Sequence, residues 1–203
     1  MEECGFFDGD ELYGQDEFNR YFDNLYRSGV SLDDTETMTL PVTGGTGSVS
    51  VGVGFAILRG FFYYNSSALS LTIPTPTTLP RIDRVVIRLN VTGKTVTAAV
   101  KSGTEASSPA PPALQRDNNI FELSLAQVRV TTAGAITVTD ERPLESVCGA
   151  IRPKNLTEYD DMVAIFQAQW QAWFTSQQSK GWRNIYIQTD QPSAPEVGSI
   201  WIQ

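Results

Sequence analysis

Four places in the chain bring together residue types that do chemistry elsewhere in proteins. Val91-Thr92-Gly93-Lys94-Thr95 ends like the phosphate-binding pattern G-x-x-x-x-G-K-[ST], whose backbone N–H groups and lysine cradle phosphate oxygens. The position that needs the first glycine is Arg88, and the segment reads as a β-turn. Asp8-Gly9-Asp10-Glu11 has the acidic density of a calcium loop without its ligand order. The adjacent acids Asp140-Glu141 and Asp160-Asp161 are nominal pairs for acid–base hydrolysis, but they sit at a strand end and in a first helical turn, where carboxylates are ordinarily solvated. The chain has no histidine, which removes Ser-His-Asp and Cys-His chemistry. Cys4 and Cys148 are lone thiols far apart in sequence. The reading is therefore no catalytic residue, no metal ligand, no cofactor and no enzymatic activity.

What remains is structure. Residues 15–27 place Phe18, Tyr21, Phe22, Leu25 and Tyr26 at i, i+3, i+4, i+7 and i+8, with Asp16 and Glu17 at the start. That spacing predicts an amphipathic helix with an aromatic face, ended by Ser28-Gly29. Phe6 and Phe7 add aromatic surface ahead of it, in a segment too short for its own core. We read Phe6, Phe7, Phe18, Tyr21, Phe22 and Tyr26 as a docking arm.

Beyond Thr35 the composition changes to threonine, valine and glycine, and residues 35–80 contain only two charges, Glu36 and Arg59. Strands are predicted near 36–42, 47–52, 54–59, 61–64, 68–73, 82–91, 94–101, 120–130 and 135–139, with a hairpin closed through Thr92-Gly93. Short antiparallel strands at this density imply a β-sandwich. Alternation along 81–91 puts Val85, Ile87 and Leu89 on the core face and carries Asp83 with them. A carboxylate there needs a cation to offset its desolvation, and Arg116 and Arg142 are the candidates. In Phe61-Phe62-Tyr63-Tyr64 the two odd residues face one way and the two even ones the other. One of these pairs is a candidate sugar-stacking platform.

From Asn155 the pattern is helical again, opened by a capping-box sequence. Tyr159, Val163, Phe166, Trp170 and Trp173 recur at heptad spacing and form a candidate oligomer interface. Ile185-Tyr186-Ile187 and Ile200-Trp201-Ile202 read as a short hairpin, with Tyr186 and Trp201 as docking aromatics. The expected fold is mainly β: an antiparallel sandwich over 35–150, flanked by an acidic helical arm (1–34), an amphipathic helix (154–182) and a C-terminal hairpin (183–203).

The net charge of −8 lies almost entirely in residues 1–34, which hold ten acids and two bases; the remainder is neutral. This argues against nucleic acid and anionic membranes as partners. No apolar run has the length of a membrane span or a signal peptide.

The order of Gly5-Phe6-Phe7, Gly54-Phe55-Ala56-Ile57, Gly60-Phe61-Phe62-Tyr63, Arg81-Ile82-Asp83-Arg84-Val85-Val86-Ile87-Arg88-Leu89, Glu122-Leu123-Ser124-Leu125-Ala126, Asp140-Glu141-Arg142 and Cys148-Gly149 resembles baseplate and tail-tip structural proteins of siphophages and prophages of Gram-positive hosts. The resemblance implies a sandwich like the shoulder domain of lactococcal phage receptor-binding proteins, a homotrimer, and a place in the virion tail or baseplate. It implies no catalytic residues. The expected partners are further copies of the chain and other tail proteins. Because the chain stops at Gln203, an adaptor is expected, with a receptor-binding protein contacting host-surface carbohydrate as the alternative.

Overall fold

The threonine- and valine-rich stretches are extended in the computed structural model, which describes residues 14–154, 157–179, 185–193 and 199–202. The chain divides into two units, Met1–Asn155 and Leu156–Gln203. In the first, helix α1 (Gln15–Leu25) is followed by ten strands: β1 (Gly29–Val30), β2 (Val42–Gly44), β3 (Ser48–Val51), β4 (Gly54–Leu58), β5 (Phe61–Asn65), β6 (Leu69–Thr72), β7 (Arg81–Asn90), β8 (Thr95–Lys101), β9 (Ile120–Val130) and β10 (Ile136–Asp140). The second unit holds α2 (Thr157–Ser179), β11 (Ile185–Ile187) and β12 (Ile200–Ile202).

An antiparallel sheet in the order β10-β9-β7-β8 forms one layer, and two three-stranded antiparallel sheets, β1-β4-β5 and β2-β3-β6, supply the facing side chains. Alternation sends Val85, Ile87 and Leu89 of β7 and Leu123, Val128 and Val130 of β9 inward. They meet Ala56 and Leu58 of β4, Val49 and Val51 of β3, and Val30, Leu40 and Ile73 in one buried cluster. The predicted hairpin forms, with Arg84 opposite Lys101 and Asn90 opposite Thr95. Between β7 and β9 the register slips, pairing Val85 with Ala126 but Val86 with Ser124. Leu125 is left over, and its carbonyl accepts the Glu141 N–H at 3.0 Å, so the bulge anchors the chain leaving β10.

The predicted strand over 36–42 begins only at Val42. Leu40 has φ +58°, which a strand does not allow. The Arg142 guanidinium donates to the carbonyls of Met38 and Thr39 instead, the latter at 2.9 Å. The β4–β5 turn places both Arg59 (φ +50°) and Gly60 (φ +83°) in the left-handed region, the signature of a two-residue type I′ hairpin.

The outer face of the four-stranded sheet buries charge at its centre. Glu122 is fully buried, accepting from Arg88 Nη1 at 2.6 Å, Lys101 Nζ at 2.7 Å and the Gln115 N–H at 2.6 Å. Beside it Glu141 accepts from Arg84 Nη2 at 3.1 Å, Ser124 Oγ and Gln127 Nε2. The extended segment 102–117 lies over these residues, its Pro112 carbonyl accepting from Arg84 Nη1 at 2.9 Å. Several donors converge on each buried carboxylate, which is what keeps its desolvation from dominating.

Asp83 does carry its charge into the core, but its cation is neither Arg116 nor Arg142. Arg81, two residues earlier and therefore on the same face, donates through Nε at 2.8 and 3.1 Å, and the Gly103 N–H adds a bond of 2.9 Å. Arg116 instead holds the carbonyls of Glu122, Ser146 and Val147, stacked over the Phe121 ring. Arg142 pairs with Asp140 as well as capping Met38 and Thr39. The nearest same-face cation wins because no chain excursion is needed to deliver it.

In the second unit the predicted hairpin is also corrected. β11 and β12 pair in parallel, with Ile185, Tyr186 and Ile187 opposite Ile200, Trp201 and Ile202. Residues 188–199 are long enough to carry the chain back to the same end, whereas a hairpin needs only a tight turn.

Glu105 accepts from the Thr78 hydroxyl and from the N–H groups of Thr77, Thr78 and Leu79, which hold its carboxyl pKa at about 2, below the usual 4.5. A depressed folded pKa gives stability that is present above 4.5 and lost as the pH falls toward 2. The melting temperature of Glu105→Gln will lie below wild type at pH 6, and the gap will close by pH 2 in a pH series of thermal melts. Glu122→Ala strands Arg88, Lys101 and the Gln115 N–H, and urea denaturation will show a loss of about 3 kcal/mol. Lys101→Met, which leaves the Arg88 pair and the Gln115 N–H in place, will cost less, about 1–2 kcal/mol.

Candidate docking surfaces

The arm helix α1 forms where its sequence predicts, but its orientation is set by polar contacts. The Glu17 carboxylate accepts the Gly14 N–H at 2.8 Å and closes the N-terminus. On the side facing the sandwich, Lys154 Nζ reaches Asp23 at 3.0 Å. The Asn19 carbonyl lies against Gly60, where an added Cβ would stand 2.1 Å from it. Glycine is thus needed at position 60 both for its φ and for this approach. Phe18, Tyr21 and Phe22 are exposed at 46, 48 and 40%, with Tyr21 and Phe22 edge to face at 5.7 Å.

Tyr26 is not part of that helical face. The helix stops at Leu25 because its carbonyl accepts the Lys154 N–H at 2.8 Å, and Tyr26 continues extended in a bridge to Pro153. Tyr26 is half-buried, unlike the aromatics before it. Phe6 and Phe7 lie outside the described residues.

A second apolar surface is the outer face of β4 and β5. Register pairs Phe55 with Tyr64 and Ile57 with Phe62. Alternation then turns Phe61 and Tyr63 inward, where they pack on the core, and Phe62 and Tyr64 outward, each 67% exposed. Phe55 and Phe62 stack at 6.1 Å with rings 15° apart. A half-buried antiparallel sheet ordinarily solvates this face with polar side chains; here it holds four apolar ones.

Along α2 the side chains of residues 161–176 are described, and none of them is buried. Met162, Phe166, Trp170, Trp173 and Phe174 are exposed on one side with Val163 half-buried among them, and Trp170 and Trp173 lie 5.0 Å apart. Tyr159 lies within the helix, at a position whose side chain is outside the described set. In the strand pair Tyr186 is half-buried opposite Trp201, whose indole N–H donates to the Gln188 carbonyl at 2.9 Å. These apolar faces were legible from periodicity, except the outward β4–β5 surface, which needed the strand register.

The charged cleft between α1 and residues 116–121 offers a different chemistry, and its groups are engaged with one another. Arg59 Nη1 donates to the Asp117 carbonyl at 2.9 Å, Lys154 pairs with Asp23, and Arg116 is spent on main-chain carbonyls. Cys148 is buried and its thiol is pushed up to about pKa 12 by desolvation, which leaves it unreactive at neutral pH. Among the described residues no three His, Cys, Asp or Glu side chains converge as a metal site. No described helix is long and apolar enough to cross a membrane.

No protein-family model and no curated protein matches the chain. Among solved structures it is similar to the gene 22 product of the Bacillus subtilis SPP1 phage, at 12% identity over 56% of this chain and 81% of that one, with a TM-score of 0.37.

Proposed function

We propose that the chain is a non-enzymatic structural protein of a phage tail tip or baseplate, an adaptor that links other tail proteins to host-recognition modules. The observation that carries this reading is the setting of α1: polar contacts fix it to the sandwich while its aromatic side is at the surface. A helix seated that way displays an apolar stripe for another protein, the helix-in-groove mode of recognition. The sequence resemblance supplies the setting, a virion tail. The ionic groups of the sandwich support the non-enzymatic reading, since Asp83, Glu122 and Glu141 are bound up in holding strands and the covering segment together.

The second reading is a receptor-binding protein that stacks neutral host-surface carbohydrate, and the exposed pair Phe62 and Tyr64 favours it. The two readings separate cleanly. Saturable binding of the purified chain to host cell walls, abolished by Tyr64→Ala with folding intact, would establish the receptor role. Tyr63→Ala is unsuitable as the probe because Tyr63 packs on the core.

For the adaptor, the chain will co-purify with the product of a neighbouring tail gene, and a Phe18→Ser/Phe22→Ser variant with an unchanged melting temperature will lose that partner. Because residues 1–34 carry the negative charge, the partner presents a basic rim. Affinity will fall as salt rises from about 0.1 M to about 1 M, where the screening length drops from about 10 to about 3 Å. Binding that ignores both the double substitution and the salt would refute the role given to the arm.

A further inference from the structure

The second unit contains a 23-residue helix whose apolar side chains have no core of their own among the described residues. An isolated helix of that length is marginal in water, and exposed tryptophans raise its cost. We propose that α2 pairs with α2 of a second copy in the antiparallel sense, centred on Ala168. This inference rests on the helix alone and stands whether or not the protein belongs to a tail.

Two features select the occupant and its direction. The first is volume. Four of the five seam residues, Val163, Phe166, Trp170 and Trp173, lie symmetrically about position 168, while the fifth, Tyr159, has Gln177 at its mirror position. An antiparallel pair sets Val163 against the second copy's Trp173 and Phe166 against its Trp170, so large and smaller side chains face each other in every layer. Parallel association, as in the trimer implied by the family resemblance, stacks tryptophan on tryptophan at two levels and leaves a valine layer underfilled.

The second feature is charge. Residues 162–179 contain no charged side chain, the acids Glu158, Asp160 and Asp161 occupy the first turn, and Lys180 and Arg183 follow the last. Antiparallel pairing brings the acids of one copy toward the bases of the other and opposes the two helix dipoles. Parallel pairing collects the acids of every copy at one end.

Light scattering on the full chain at micromolar concentration will give a dimer, and a Val163→Asp/Phe166→Asp variant will be monomeric with the melting transition of the sandwich retained. Direction is read in a Cys4→Ser background, where the remaining Cys148 is buried. Met162→Cys and Ser176→Cys lie on the same flank of the seam, six residues before and eight residues after Ala168, so antiparallel pairing sets the two within about a turn of each other across the seam. Co-expressed under different tags and oxidised, they will form the mixed 162–176 disulfide, while neither variant alone will cross-link to itself. A wild-type monomer, a trimer, self-cross-linking of either single variant, or a dimer that fails to form the mixed disulfide would each overturn the proposal.

Discussion

The burial of Glu122 and Glu141 on the outer face of the four-stranded sheet is the constraint around which the first unit is arranged. A carboxylate taken out of water costs several kcal/mol unless donors replace its hydration. Here the donors come from β7, β8 and β9 and from the segment that lies over them: Arg84, Arg88, Lys101, Ser124 and the Gln115 N–H. Residues 102–117 have little hydrophobic periodicity to hold them down. They lie flat because the charges beneath them need cover and because Glu105 gathers the N–H groups of the 77–79 turn. The bulge at Leu125 serves the same end, since it binds the backbone of Glu141 and so delivers that carboxylate to Arg84 and Ser124.

Among the described residues five charged side chains, Arg81, Asp83, Arg84, Glu122 and Glu141, are buried, while apolar side chains are displayed on α1, on the outer side of β4 and β5, and along α2. An enzyme spends buried charge on a cavity where substrate can reach it. In this protein the buried charges are consumed in joining strands, and the displayed surfaces are flat or helical rather than concave. On the proposed reading, the neutral sandwich contributes rigidity and the strongly acidic arm contributes steering toward a basic partner.

Much of this was legible from residue spacing. The runs Arg81–Asn90 and Ile120–Val130 alternate cleanly enough to reveal strands and their inward faces, and Phe18, Tyr21 and Phe22 reveal the aromatic side of α1. What spacing could not reveal was anything decided by a distant partner. Leu40 takes a left-handed conformation because Arg142, a hundred residues away, claims the carbonyls before it. Tyr26 leaves the helix because Lys154 captures the Leu25 carbonyl. The direction of β12 relative to β11 depends on the path of the connection between them, which composition does not encode. Asp83 is an intermediate case: alternation shows that it needs a cation, but which arginine supplies it depends on side-chain reach along the strand, and Arg81, two residues away on the same face, reaches it.

In the proposed role, α1 is a surface that another protein covers in the assembled tail, while the sandwich is already complete by itself. Hydrogen–deuterium exchange, run on the free chain and on the assembled tail, measures that directly. The amides of Gln15–Leu25 will exchange at least tenfold more slowly in the assembly, and those of β7 and β9 will be equally protected in both. Equal exchange of α1 in the free and assembled states would contradict the account.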